Sequence, residues 1–114
     1  MKLLNCGFDH VEFVVEDIAG HLKRWSAMGF EAVGERKLEN RGTRSLLVQQ
    51  GQVRILLTEP LRGNAAEQNL SVQFLRNHMD GICVLALEVT DAREVFRQCV
   101  ARGARPAMEP TRFE

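Results

Sequence analysis

The 114-residue chain has no excess of either charge, no long apolar run and no closely spaced cysteine pair, and each absence narrows what it can be. Fifteen basic and fifteen acidic residues cancel, and the sequence pI is about 6.8. That balance gives no electrostatic pull toward nucleic acid or an anionic membrane, so neither is expected as a partner. No stretch approaches the roughly 18–20 apolar residues that span a bilayer. The opening MKLLNCGFDH is too short, and turns acidic too soon, to read as a signal peptide. The cysteines, Cys6, Cys83 and Cys99, are odd in number and form no CxxC pair, which points to reduced thiols in a cytoplasmic protein. Cys83 and Cys99 fall on apolar faces and read as small buried hydrophobes. No phosphate-binding pattern surrounds Gly42, Gly51, Gly81 or Gly103. Ser26, Ser45 and Ser71 have no nucleophile-elbow context.

What is there is a soluble composition, 45% hydrophobic and 26% charged, of about one domain's length. Within it one motif is written twice. FDHVEFVVEDIAGHLKRWSAMGF (8–30) and ICVLALEVTDAREVFRQCVARGA (82–104) superpose without a gap, Val15 on Val89, Asp17 on Asp91, Leu22 on Phe96, Ala27 on Ala101 and Gly29 on Gly103. Each copy is an apolar strand, a helix-opening Asp, an amphipathic helix and a closing Gly, the signature of a duplicated supersecondary unit.

The first copy predicts a strand over about Phe8 to Val15, with Val11, Phe13 and Val15 on one face and His10, Glu12 and Val14 on the other. Asp17 is the N-cap, its carboxylate accepting a free N–H of the first turn. Ile18, Leu22, Trp25 and Met28 form the apolar stripe of the helix, and Gly29 suits a left-handed C-terminal cap. A strand over Phe30 to Lys37, a polar LENRG loop, and two β-rich runs, Thr43 to Gln49 and Val53 to Thr58, follow; the runs form a hairpin around Gln50-Gly51. Unit one (about 8–58) therefore reads β-α-β-β-β. A connector (59–81) holds a mobile-looking stretch at Gly63 and Asn64 and a short helix around Val72, Phe74 and Leu75. Unit two (82–114) gives a strand from Ile82 to Val89, a helix from Ala92 to Arg102 with Val95, Phe96, Cys99 and Val100 on its apolar stripe, and the start of a strand at Ala104 to Glu109. The counterpart of the 43–58 hairpin would fall beyond Glu114, so unit two is incomplete, and a fragment of a longer two-domain protein is expected. The fold class is α+β: paired β-α-β-β-β units forming a curved mixed sheet with helices on its convex side. Val11, Phe13, Val15, Leu22, Trp25, Leu85, Leu87, Val89, Phe96 and Cys99 are the expected core.

Paired units of this kind resemble the vicinal oxygen chelate superfamily of glyoxalases, extradiol dioxygenases and bleomycin-resistance proteins. FDHVEFVVED, MGFE, QQGQVRILLTEPL, HMDGICVLALEVTDA and RGARPAMEP follow the order and spacing of the N-terminal domain of the 4-hydroxyphenylpyruvate dioxygenase family. Hydroxymandelate synthase shares that architecture. The resemblance implies a cytoplasmic Fe(II)-dependent enzyme of tyrosine catabolism that converts 4-hydroxyphenylpyruvate and O2 to homogentisate and CO2. It implies further that the iron ligands, two His and one Glu, belong to a C-terminal catalytic domain of the same chain. The N-terminal domain would be a metal-free structural copy, with no cofactor, no catalytic residue and a role in subunit contacts, so a homo-oligomer is expected. The alternative is a stand-alone dimeric small-molecule binder of the bleomycin-resistance type.

A two-His-one-carboxylate centre needs three ligands on one face. His10 falls at the first-strand ligand position of metal-binding relatives, but its repeat partner is Val84, and VRILLT offers no His or acid. His10 is therefore only a weak metal candidate and reads as a hydrogen-bonded structural histidine. Glu12 and Glu88 lie on corresponding inner faces; burial would raise their pKa and suit acid–base work, but a solvated or ion-paired acid is the favoured reading. His21 reads as solvated and His78 as a loop or capping residue. Arg36, Lys37 and the arginines after Arg93 are interspersed with acids and read as a solvated face.

Overall fold

A computed structural model describes residues 5–61 and 69–111, with the side chains of Asn5 and Cys6 left out. The Cys6 thiol and the Gly63–Asn64 stretch thus lie outside the described residues. Along the chain run β1 (Asn5–Val14), α1 (Ile18–Ala27), β2 (Glu31–Leu38), a single 3-10 turn (Glu39–Arg41), β3 (Thr43–Gln50), β4 (Val53–Pro60), α2 (Leu70–His78), β5 (Gly81–Val89) and α3 (Ala92–Ala101). The strands form one mixed sheet in the order β2-β3-β4-β1-β5. β1 runs parallel to β4, while β4, β3 and β2 form an antiparallel meander. The protein is α+β, as its sequence predicts. It parts into two compact units, a larger one over Asp9–Ala86 and a smaller one containing the residues from Leu87 onward with those before Asp9.

In the larger unit, period-two alternation puts Ile55 and Leu57 of β4 and Leu46 and Val48 of β3 on the face that α1 covers. With Val15 and Ile18 they form a buried cluster, against which Val11, Phe13, Leu22, Trp25 and Phe30 pack. Trp25 is held edge-on between Phe13 (centroids 5.5 Å apart) and Phe30 (5.0 Å), the geometry the ring quadrupoles favour. Val14, Val72 and Leu75 are also buried but stand outside that cluster. The short connector helix expected around Val72 and Leu75 is thus formed and docked. The hairpin turn is Gly51-Gln52, one residue later than Gln50-Gly51, because Gln50 already pairs with Val53. Gly51 takes the positive φ (59°) that the first position of a II′ turn requires. β2 carries a register shift between Ala32 and Gly34.

The repeat is written into the helix ends. Asp17 accepts the Ala19 N–H and Asp91 the Glu94 N–H. At the C-termini Gly29 and Gly103 take φ of 94° and 103°. Phe30 N–H then donates to Trp25 carbonyl and Ala104 N–H to Cys99 carbonyl, while Gly29 and Gly103 donate to Ser26 and Val100. Both helices therefore close with a Schellman motif at equivalent positions.

Three sequence expectations need correction. Residues 104–111 form no strand: Pro106 and Pro110 remove ladder donors, and a strand needs a neighbour to pair with. Leu85 and Leu87 are 62% and 51% exposed rather than core, because β5 ends the strand order and has a described neighbour on one side only. Val89, Phe96 and Cys99 are only half-buried, and α3 has no buried residue. In the smaller unit Phe96 and Val100 of α3 instead line a shallow hollow of about 330 Å3 with Arg93, Arg97, Glu109 and Pro110. No helix among the described residues is long and apolar enough to cross a membrane.

Candidate functional site

The face of the larger unit's sheet opposite α1 carries a line of polar side chains. Alternation sends Glu12 of β1, Thr58 of β4 and Ser45 of β3 to this face, while their neighbours Phe13, Leu57 and Leu46 face the core. Thr58 Oγ1 donates to Glu12 Oε2 at 2.6 Å. That hydroxyl has one hydrogen, so Ser45 must donate to Thr58 across the 2.7 Å between their oxygens. The other carboxylate oxygen, Oε1, lies 3.8 Å from Cys83 Sγ of β5, which is also 3.8 Å from Ser71 Oγ of α2. The single thiol hydrogen serves the carboxylate, the stronger acceptor, and Ser71 donates to sulfur. Ser45 and Thr58 are buried and Glu12 half-buried. Burial, with the Glu12 charge second, pushes the Cys83 thiol up from 9.0 to about 11. That thiol is protonated near neutral pH. Donors thus converge on Glu12 from two sides, and no cation among the described residues pairs with it.

A second group gathers at the start of β1. His10 Nδ1 lies 2.6 Å from Asp9 Oδ2, and Arg54 Nη1 donates to Asp9 Oδ1 at 3.1 Å. The His10 hydrogen bond, helped by Arg54, holds the Asp9 carboxyl below its usual value. An ionised carboxylate only accepts, so His10 donates to Asp9 through Nδ1. A third group ties α1 to the α2–β5 junction. Asp80 accepts the Glu16 N–H (3.1 Å) and His21 Nε2–H (2.8 Å), and Arg76 donates to Glu16. At the N-terminus of α1 Glu59 Oε2 accepts the Ile18 N–H at 2.9 Å, while its Oε1 takes Arg44 Nη1.

The sequence candidates thus land as follows. His10 and Glu12 share a face, but each is engaged by its own partners. Glu12 is half-buried and takes hydrogen bonds from Thr58 and Cys83, with no ion pair to it among the described residues. Glu88 is exposed. His21 is paired with Asp80 rather than solvated. His78 ends α2 and stacks on Phe74, centroids 4.7 Å apart. Cys83 meets polar groups on one side, contrary to the apolar reading. No three His, Cys, Asp or Glu side chains gather in a metal-holding group among the described residues. The chemistry near His10 is also unfavourable to a cation, since Arg54 already neutralises the Asp9 carboxylate. The described residues do not fit an Fe(II) centre. Sequence reasoning weighed Ser45 only as a nucleophile and passed over Thr58, Asp9, Arg54, Asp80 and Glu59. A usable signal existed for two of them: Ser45 and Thr58 are lone hydroxyls inside the apolar runs RSLLV and ILLTE.

The chain has known relatives in sequence and in fold. The chain is 31% identical to 4-hydroxyphenylpyruvate dioxygenase of Daucus carota, over 94% of its own length and 27% of the relative's. It is 31% identical to the Aspergillus fumigatus enzyme of the same name, over 95% of its length and 30% of the relative's. It therefore spans less than a third of the curated relatives it matches. Among solved structures, methylmalonyl-CoA epimerase from Mycobacterium tuberculosis superposes with a TM-score of 0.77 at 27% identity, over 92% of this chain and 69% of that one. A mutant of 4-hydroxymandelate synthase from Streptomyces coelicolor shares the fold, with a TM-score of 0.79 at 21% identity, over 93% of this chain and 32% of that one. Residues 9–114 match the Glyoxalase/Bleomycin resistance protein/Dioxygenase superfamily, and the chain belongs to that family.

Proposed function

We propose that the chain is the N-terminal, metal-free structural half of a 4-hydroxyphenylpyruvate dioxygenase-like Fe(II) enzyme in the cytoplasm. One observation carries the reading: the match to these dioxygenases takes in nearly all of this chain but only about 27–30% of theirs. The iron and the reaction, 4-hydroxyphenylpyruvate and O2 to homogentisate and CO2, then belong to a C-terminal half. Here the segment acts as scaffold and subunit contact, and no residue of it touches the reacting atoms. The hydrogen bonds that tie His10 to Asp9 and Glu12 to Thr58 and Cys83 support a structural role for both side chains. Reading the gene past codon 114 tests it: a following domain with two His and one Glu on matching strands is expected, and a stop codon at 115 ends the proposal. Product analysis of the full protein then separates homogentisate from mandelate formation.

A second reading is favoured by one comparison. Against the epimerase the chain spans 69% of the relative, the scale of a small stand-alone module. On that reading it is a dimeric small-molecule binder of the bleomycin-resistance type. Micromolar binding of a ligand by the 114-residue protein in calorimetry, with no iron in the purified material, would favour it over the first.

A further inference from the structure

We propose that α2 is a detachable cover, latched to α1 through Asp80. It comes away from the larger unit while the sheet and α1 stay folded, and it bares the Cys83 end of the polar line as it opens. The groups involved all lie within that unit, and the device is independent of which functional reading holds. α2 is anchored differently from α1. Ile18 of α1 belongs to the buried cluster it shares with the β3–β4 hairpin, whereas the two buried side chains of α2, Val72 and Leu75, stand outside it. Just past the C-terminus of α2, Asp80 accepts the Glu16 N–H at 3.1 Å and His21 Nε2–H at 2.8 Å. Arg76, in the last turn of α2, donates to Glu16 at 3.0 Å. These three bonds are exposed, so water competes for each of them, and they act as a latch rather than a core. At the other end of α2, Ser71 Oγ lies 3.8 Å from Cys83 Sγ, the thiol that faces Glu12, and here the helix meets the polar line.

The hinge is Met79. Its φ of 64° and ψ of −171° fall in a region that glycine occupies and side chains avoid. Such a backbone persists only where its surroundings hold it. The Met79 side chain, 79% exposed, contributes little of that hold. Its neighbours supply it: the Met79 N–H donates to the Leu75 carbonyl at 2.8 Å, and Asp80 fastens the next residue to α1. Release of Asp80 therefore undoes the latch and relaxes the backbone together. A nine-residue helix is marginal on its own, so α2 unwinds as it leaves, and opening is one cooperative local event.

Native-state amide exchange of the 114-residue protein tests this. The α2 amides should exchange about tenfold or more faster than the slowest amides of β3 and β4. Asp80→Ala should speed the α2 amides about tenfold, and His21→Ala, which removes one of the two bonds to Asp80, should speed them less. Met79→Gly should slow them several-fold by relieving the strained backbone. Ile55→Val, in the buried cluster, should speed the β3 and β4 amides several-fold and leave those of α2 unchanged. In a Cys6→Ser, Cys99→Ser background, a bulky maleimide should label Cys83 through the same opening, faster with Asp80→Ala and slower with Met79→Gly. Exchange of α2 in step with β3 and β4 overturns the proposal, as does an Ile55→Val that moves both sets together. So does an Asp80→Ala that leaves α2 exchange or Cys83 labelling unchanged, or a Met79→Gly that speeds them.

Discussion

The thiol of Cys83 gives the polar line on the sheet a direct readout. Burial first, and the Glu12 carboxylate second, push it from 9.0 up to about 11. Near neutral pH a shift of that size lowers the thiolate fraction about 100-fold. The more basic thiolate is intrinsically more nucleophilic, which returns roughly a factor of 10 in thiol–disulfide exchange. The net slowing is therefore only about tenfold, and the inflection of the pH–rate profile is the sharper observable. In a Cys6→Ser, Cys99→Ser background, exchange with a small disulfide reagent should show an inflection near 11 in the folded protein and near the usual thiol value in urea. Glu12→Gln should move the folded inflection down part of the way, since burial is the larger cause. The folded state here holds its proton more tightly than the unfolded one. The associated stability is thus complete below the unfolded value of 9.0 and is lost as pH climbs through about 11. A folded inflection at or below 9.0, or one indifferent to Glu12→Gln, would refute the environment drawn for this thiol.

Two further substitutions probe the same unit. Thr58→Val keeps the branched shape but removes the donor to Glu12 and the acceptor for Ser45; it should cost about 1–3 kcal/mol in urea denaturation, and a change under about 0.5 kcal/mol would mean the hydroxyl relay carries no stability. Met79 holds a φ of 64° just after α2, where side chains are strained. Met79→Gly should therefore stabilise by about 1 kcal/mol, and a loss of stability in thermal melts would show that the residue makes contacts worth more than the strain.

Most of the fold was legible because its signals are local. Asp17 and Asp91, Gly29 and Gly103, and the apolar periodicity between them dictate two helices with the same caps. The β-rich runs around Gly51 dictate a hairpin, and Val72 and Leu75 mark a short docked helix. The site was less legible because its partners are distant in sequence. Nothing near Glu12 announces Thr58, nothing near His21 announces Asp80, and Glu59 reaches the α1 N-terminus from the far end of β4. Such pairings depend on strand register, which a single sequence specifies only through alternation. That is why the lone hydroxyls in β3 and β4 were its one visible trace. The false strand at 104–109 has the opposite cause: the repeat was extended by analogy to a position where Pro106 removes a ladder donor and no partner strand lies among the described residues.

The two helices also separate what a repeat encodes from what it does not. N-cap carboxylates, apolar stripes and Schellman closures act within a dozen residues, so α1 and α3 form alike. Burial does not follow from them. α1 lies over Leu46, Val48, Ile55 and Leu57, and four of the six residues in the buried cluster come from that hairpin. No hairpin follows α3 among the described residues, and α3 has no buried side chain. Local code is enough to make a helix, but a helix–sheet core requires the meander to be present. In the first copy the polar line lies on a packed sheet and meets α2 through Ser71. In the second copy the helix and the apolar strand form, but no following strands are found among the described residues, and Leu85 and Leu87 stand exposed there.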